Sequence, residues 1–219
     1  MNSHQEQIDI LINAAHEGNV DDFTPILSAN KALVNGVDEE HGLTAPMIAA
    51  LRGHIIIVRL LLEHNATVNL QAYNGVSALM VAAGEGHIDT LQLLLDHHAN
   101  VDLQLKDGKT TLMNAAERGQ IAIARCLLAN HALVDLQMNS GKTALTIATT
   151  QGHIAIVQLL LEHRATIDLP TNTGGTALMA AAHRGSIALV QLLLEHHAVV
   201  DLQDKDGLSA LMYAANGGH

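Results

Sequence analysis

Two kinds of apolar block alternate along this chain. One is short and Ala-rich, clearest in SALMVAAG at 77–84; the other is longer, as in IDTLQLLLD at 88–96, with Ile88, Leu91, Leu94 and Leu95 at i, i+3, i+6, i+7. That spacing predicts an amphipathic helix, and the Ala-rich run predicts a short helix that another can approach closely. Gly86 separates the two. Ahead of the short helix stand Asn74-Gly75 and the hydroxyl of Ser77, a tight-turn pair and an N-cap residue. Ala99, Val101 and Leu103 lead the chain to the next such turn. The text returns every 33 residues, with Gly42, Gly75, Gly108, Gly141, Gly174 and Gly207 in one register and Gly53, Gly86, Gly119, Gly152, Gly185 and Gly218 in another. A fixed period of this length points to a solenoid in which each unit packs on its neighbours.

The repeated pattern G-x-[ST]-A-L-M-x-A-A-x-x-G-H-I-x-x-[VL]-Q-L-L-L-[ED]-H-x-A-x-V-D-L-Q resembles the ankyrin repeat. The resemblance implies an all-α solenoid of stacked helix-turn-helix units with short β-hairpin loops, and a concave face that binds other proteins. It divides one continuous domain into an N-terminal capping repeat at 1–41, repeats at 42–74, 75–107, 108–140, 141–173 and 174–206, and a partial repeat at 207–219.

Departures from the family pattern carry expectations of their own. Met47, Met80, Met113, Met179 and Met212 stand where the family has a His; as thioethers they are expected to fill the core, with fewer polar ties between repeats. The longer helices end in Asn65, His98, His131, Arg164 and His197 where Gly is usual, so these residues are expected to be left-handed. Pro25 is expected in the first turn of its helix, and Pro46, in place of Leu, is expected to loosen the repeat at 42–74. Residues 1–40 carry eight acids (Glu6, Asp9, Glu17, Asp21, Asp22, Asp38, Glu39, Glu40) against Lys31, as suits a polar cap. The last copy stops at His219 after its first helix, which should leave Leu211, Met212 and Leu192 to Leu194 partly uncovered. A fragment of a longer protein, or an end that docks on a partner, follows from that reading, and end-to-end self-association is compatible with it.

Composition narrows the function classes. Cys126 is the single cysteine, a small hydrophobe on an apolar helix face, and a reducing, cytoplasmic setting is expected, with delivery to another cell as an effector the secondary alternative. Residues 1–15 lack a signal-peptide pattern and the longest apolar runs are far short of a membrane span, so no membrane insertion is expected. A net charge of −11 argues against nucleic acid. The basic residues Lys106, Lys109, Arg118, Arg125 and Lys142 gather in the middle repeats, where a mixed-sign surface is the plainer reading and an acidic-peptide site the sharper one. His64, His97, His163 and His196 recur at the helix ends, beside His98, His131 and His197; dipole capping explains them, while a metal site is disfavoured because stacked helices hold such ladders too far apart. Partner affinity is nevertheless expected to change between neutral and mildly acid pH. No nucleophile, phosphate loop or carboxylate pair stands outside repeat phase, so neither a catalytic site nor a cofactor is expected and the chain is not read as an enzyme.

Partner contacts are expected where the copies disagree. In the turns these are Tyr73, Asn74, Val76, Lys106, Asp107, Lys109, Asn139, Ser140 and Lys142; on the edge of the first helices they are Glu85, Glu117, Arg118, Gln151 and Arg184. Tyr73 and Arg118 are the residues whose truncation should cost most. The expected function is a protein-interaction scaffold; the alternative is a targeting or inhibitory segment of a larger enzyme or effector. Asn69, in LLLEHNATVN, also resembles the ankyrin sites modified by an asparaginyl hydroxylase.

Overall fold

The computed structural model describes residues 4–219, without the side chains of Asp22, Ala29 and Lys31. Residues 1–3 of the expected cap, and the Asp22 and Lys31 charges counted in it, lie outside the described residues. Helices come in pairs: α1 (His4–Glu17) with α2 (Val20–Ala29), followed by a 3-10 turn (Lys31–Asn35); α3 (Ala45–Arg52) with α4 (Ile55–Glu63); α5 (Ala78–Glu85) with α6 (Ile88–Asp96); α7 (Thr111–Arg118) with α8 (Ile121–Ala129); α9 (Ala144–Gln151) with α10 (Ile154–Glu162); α11 (Ala177–His183) with α12 (Ile187–Glu195); and α13 (Ala210–Gly217). The chain is an all-α repeat solenoid. The expected β-hairpins are tight turns instead, closed by bonds such as Ala72 N–H to Val76 O (2.8 Å) and Thr171 N–H to Gly175 O (2.9 Å), too short a stretch for a strand ladder. Isolated bridges such as Val37 to Thr44 occur, and no strand forms among the described residues.

Two compact units form, Met1–Lys106 and Asp107–His219. In the first, α3 lies between α1 and α5 while α4 packs on α2 and α6; in the second, α9 lies between α7 and α11, α11 packs on α13, and α10 lies between α8 and α12. Close approach of the first helices follows from their alanines, since Ala49, Ala82, Ala115, Ala148 and Ala181 are fully buried at the contacts. Thr149 takes an alanine position and stays satisfied by donating to Leu145 O (2.8 Å). The second helices bury Leu61, Leu91, Leu94, Leu127, Leu160 and Leu193. Ile88, expected on that stripe, is 44% exposed because it is the first residue of α6, where the face turns outward.

Local signals hold the helices in place. Ser77, Thr110, Thr143 and Thr176 accept the N–H three residues on, at 3.2 to 3.4 Å, whereas Thr44 and Ser209 make no such bond. Asn65, His98, His131, Arg164 and His197 all have φ between 62° and 65°, the expected left-handed ends. Met47, Met80, Met113 and Met179 are buried core residues, and Met212 is half exposed. Polar ties between repeats are nonetheless frequent, contrary to the expectation drawn from those methionines. His54 Nε2 bonds His16 O (3.1 Å), His87 Nε2 bonds Leu51 O (3.3 Å), His153 Nε2 bonds Glu117 O (3.0 Å) and Arg184 Nη1 donates to Thr150 O (2.9 Å). Each reaches a last-turn carbonyl of the preceding first helix, a group that lacks an intrahelical partner. The ties sit at the helix ends rather than at the methionine positions.

Three further expectations meet the structure. Pro25 is the sixth residue of α2, past the first turn, and is tolerated because it faces solvent, where water replaces the lost N–H partner. Pro46 is buried in the first turn of α3, and Met47, Ile57, Val58 and Leu61 around it are closed to solvent, so the repeat is not loosened. At the last repeat Leu211 is 76% exposed and Leu194 and Met212 are partly uncovered, while Leu193 is fully buried against its own repeat.

Candidate functional site

The turns that precede the first helices are built by their own side chains. Asn74 Oδ1 accepts the Val76 N–H (3.0 Å) and Asp107 Oδ1 the Lys109 N–H (3.0 Å), which holds each loop tight ahead of its glycine. Successive turns are then joined by backbone bonds. In the first unit Tyr73 N–H donates to His41 O (2.9 Å) and Lys106 N–H to Asn74 O (3.4 Å). In the second, Asn139 N–H donates to Asp107 O (2.7 Å), Asn172 N–H to Ser140 O (3.0 Å) and Lys205 N–H to Thr173 O (2.9 Å). Each row of turns is therefore a fixed rim along the first helices of its unit.

In the first unit the rim brings Tyr73, Asn74 and Lys106 together, with Val76 half-buried beneath and Glu85 exposed at the far end of α5. Tyr73 is 55% exposed, yet its ring lies over Gly42; a methyl on that glycine would come within 2.6 Å of Cδ1. One face of the phenol packs and the other is open.

The second unit gathers more of the expected residues. A concavity of about 250 Å³ is lined by Asp107, Lys109, Glu117, Ser140, Lys142 and Gln151, with Met138, Ile147 and Thr150. Lys109 is ion-paired with Glu117 across it. A wider concavity of about 420 Å³ shares Lys142 and Thr150 and continues over Thr146, Thr171, Gly175, Thr176, Met179, Ala180, His183, Arg184 and Tyr213. Asn139 is exposed on the rim, its carbonyl accepting from Asn172 Nδ2 (2.8 Å), and Arg118 is exposed at the end of α7; both lie outside these two concavities. The contribution of Thr171 and Tyr213 is absent from the sequence reading. Tyr213 lies in the partial repeat, and only its packing edge-on against His183 (centroids 5.9 Å apart, 86°) brings it to this face. Thr146 carried a signal, being the one copy without the methionine.

Tyr213, on the wall of the wider concavity, is tied to a carboxylate. Tyr213 Oη donates to Asp204 Oδ2 (2.6 Å), while Asp204 Oδ1 accepts from the N–H groups of Leu208 (2.9 Å) and Asp206 (3.0 Å). The phenol first, then the Leu208 amide, holds the Asp204 carboxyl below its ordinary range, and the same bond pushes the Tyr213 phenol up.

Remaining candidates lie elsewhere. Asn69 Oδ1 accepts the Asn100 N–H (2.6 Å) and its Nδ2 donates to His98 O (3.4 Å), so the side chain staples one loop to the next. His64 Nδ1 caps Leu60 O (2.8 Å) at the end of α4, and Asn130 does the same for Cys126 O (3.0 Å) on α8. Cys126 itself is half-buried. Among the described residues no three His, Cys or carboxylate groups converge as metal ligands, and no helix is long and apolar enough to cross a membrane.

A family model for ankyrin repeats matches three times, over residues 11–105, 79–171 and 165–219. Among solved structures, the chain is similar to the human ASB11 ankyrin repeat domain, with 28% identity and a TM-score of 0.78 over 93% of this chain and 90% of that one. Comparison with curated proteins gave no match.

Proposed function

The chain belongs to the ankyrin-repeat family, and from that premise we propose that it binds a protein partner through its rims of turns and the inner faces of its first helices. Ankyrin repeats are in general protein-protein interaction modules. One observation carries the reading here. The alanines and leucines that recur in the helices are buried, whereas Tyr73, Asn74, Lys106, Asp107, Arg118, Asn139, Ser140 and Lys142, at positions that differ among copies, are exposed, and in the second unit six residues at such variable positions line one concavity. Positions released from packing and grouped on a rigid rim are suited to recognition. An intracellular setting is part of the reading, since the chain has a single cysteine. Truncation of Tyr73 or Arg118 is expected to weaken binding by about tenfold or more, as at interface hot spots.

A photo-crosslinking residue at Gln151, on the inner face, tests this against one at Gln158, exposed on α10. Discrete protein adducts from Gln151 and none from Gln158 are expected. Adducts from Gln158 alone would overturn the reading.

A second mode of association is favoured by the apolar surface at the last repeat. Ile187 (75% exposed), Leu194, Val200 and Leu211 surround a hollow of about 300 Å³ there. End-to-end self-association through it would show as concentration-dependent mass in sedimentation, abolished by Leu211→Glu.

A further inference from the structure

The chain carries 22 acidic against 11 basic side chains, yet the wider concavity of the second unit contains Lys142, Arg184 and His183 and no carboxylate. The narrower one beside it differs, since Asp107 and Glu117 line it and Glu117 already neutralises Lys109. The carboxylate bonded to the wider wall is that of Asp204, and it is engaged by Tyr213 Oη and two backbone N–H groups.

The cations differ in how far they are committed. Among the described residues the Lys142 ammonium has no hydrogen-bond or ion-pair partner. Arg184 uses Nη1 on Thr150 O (2.9 Å), and its guanidinium lies over Gly152, where a methyl would come within 2.5 Å of Nε. That contact holds the fork rigid while leaving donors for a second acceptor. Between them the surface is hydroxyl and thioether, from Thr146, Thr150 and Met179, which suits the methylenes of a side chain better than a bare ion.

We propose that this concavity receives an acidic segment of a partner protein, with Asp or Glu carboxylates on Lys142 and Arg184. The proposal rests on the reading that the inner face binds protein. A nucleic acid fits less well, because a continuous phosphate backbone would run on to Asp107 and Glu117 and meet a net charge of −11. The same net charge repels an acidic partner at long range, so selection acts at contact distance. Salt screens both effects and does not separate them.

Degenerate peptide pools of one length test this, one with Glu at alternate fixed positions, one with Gln there and one with Lys, together with an oligothymidylate. The Glu pool is expected to bind about tenfold more tightly than the Gln pool, a difference of about 1.4 kcal/mol. Lys142→Glu should erase that preference and Lys142→Arg should keep it, both with unchanged melting because the ammonium supports nothing in the fold. Equal binding of Glu and Gln pools, preference for the Lys pool or the oligothymidylate, or no binding by any pool overturns the proposal. Crosslinks from Gln151 do not depend on peptide charge, so they still report on the wider reading when the charge preference fails.

Discussion

The Tyr213 hydroxyl donates to Asp204 Oδ2 across 2.6 Å, tying the last helix to the turn that precedes it. The bond spans nine residues and joins α13 to a loop that is also held by its own Asx contacts and by Lys205 N–H on Thr173 O (2.9 Å).

Tyr213→Phe is therefore expected to lower the melting temperature at neutral pH, and the difference should narrow at both extremes. Asp204 has a folded pKa below its unfolded one, so its contribution is present above the ordinary carboxylate range and is lost as pH falls through the lowered value. Tyr213 has a raised folded pKa, so its contribution is present below about 10 and is lost as pH rises through the raised value. Melting curves of both proteins across pH check this. No difference, or one that stays constant across pH, would mean that the bond from the hydroxyl to Asp204 does not carry the effect.

Arg164 sits at φ 62° after α10, in the region where a side chain crowds the following carbonyl. Relieving that costs glycine some entropy, so Arg164→Gly should stabilise by about 0.5–1 kcal/mol net. Asn65, at φ 65°, tolerates the region better, and Asn65→Gly should gain less. Chemical denaturation of the two variants gives the comparison.

The His153 ring lies beneath Gly119, where a methyl would be 2.8 Å from Cε1, and Nε2 bonds Glu117 O. Gly119→Ala should cost more in the parent than in a His153→Ala background, where the clash is gone and only the strain of φ 71° remains, about 1–2 kcal/mol. A double-mutant cycle with additive costs would contradict the contact.

Asn69 has counterparts in Asp135, whose Oδ1 accepts the Thr166 N–H (2.9 Å), and in Asp168, which accepts the Val199 N–H (3.1 Å). Asn69→Asp should thus be nearly neutral, while Asn69→Ala should cost about 1 kcal/mol for the lost bond. Incubation with an asparaginyl hydroxylase should add one oxygen at Asn69, read by mass spectrometry of the digested protein.

Much of the fold was legible because each signal is local and repeated. The turn glycines, the hydroxyl caps, the left-handed helix ends and the buried methionines are each dictated by a few neighbouring residues, and recurrence at one spacing separates them from chance. Expectations failed where a partner lies a whole repeat away. Fewer polar ties were expected from the methionines, but His54, His87, His153 and Arg184 reach carbonyls 34 to 38 residues back. The hairpins became turns because their arms are too short for a ladder: a bond such as Ala72 N–H to Val76 O closes the arms, and further bonds run to the neighbouring turn.

By itself, then, the chain's text determined the helices, their pairing and which face of each is apolar, since backbone geometry and periodic burial are properties of short segments. Only the tertiary structure decided which charged groups are already engaged. Lys109 meets Glu117, Arg184 is braced on Gly152, Asp204 is engaged by Tyr213 and Lys142 is left open, because charge pairing depends on distances between side chains that the stacking of repeats creates.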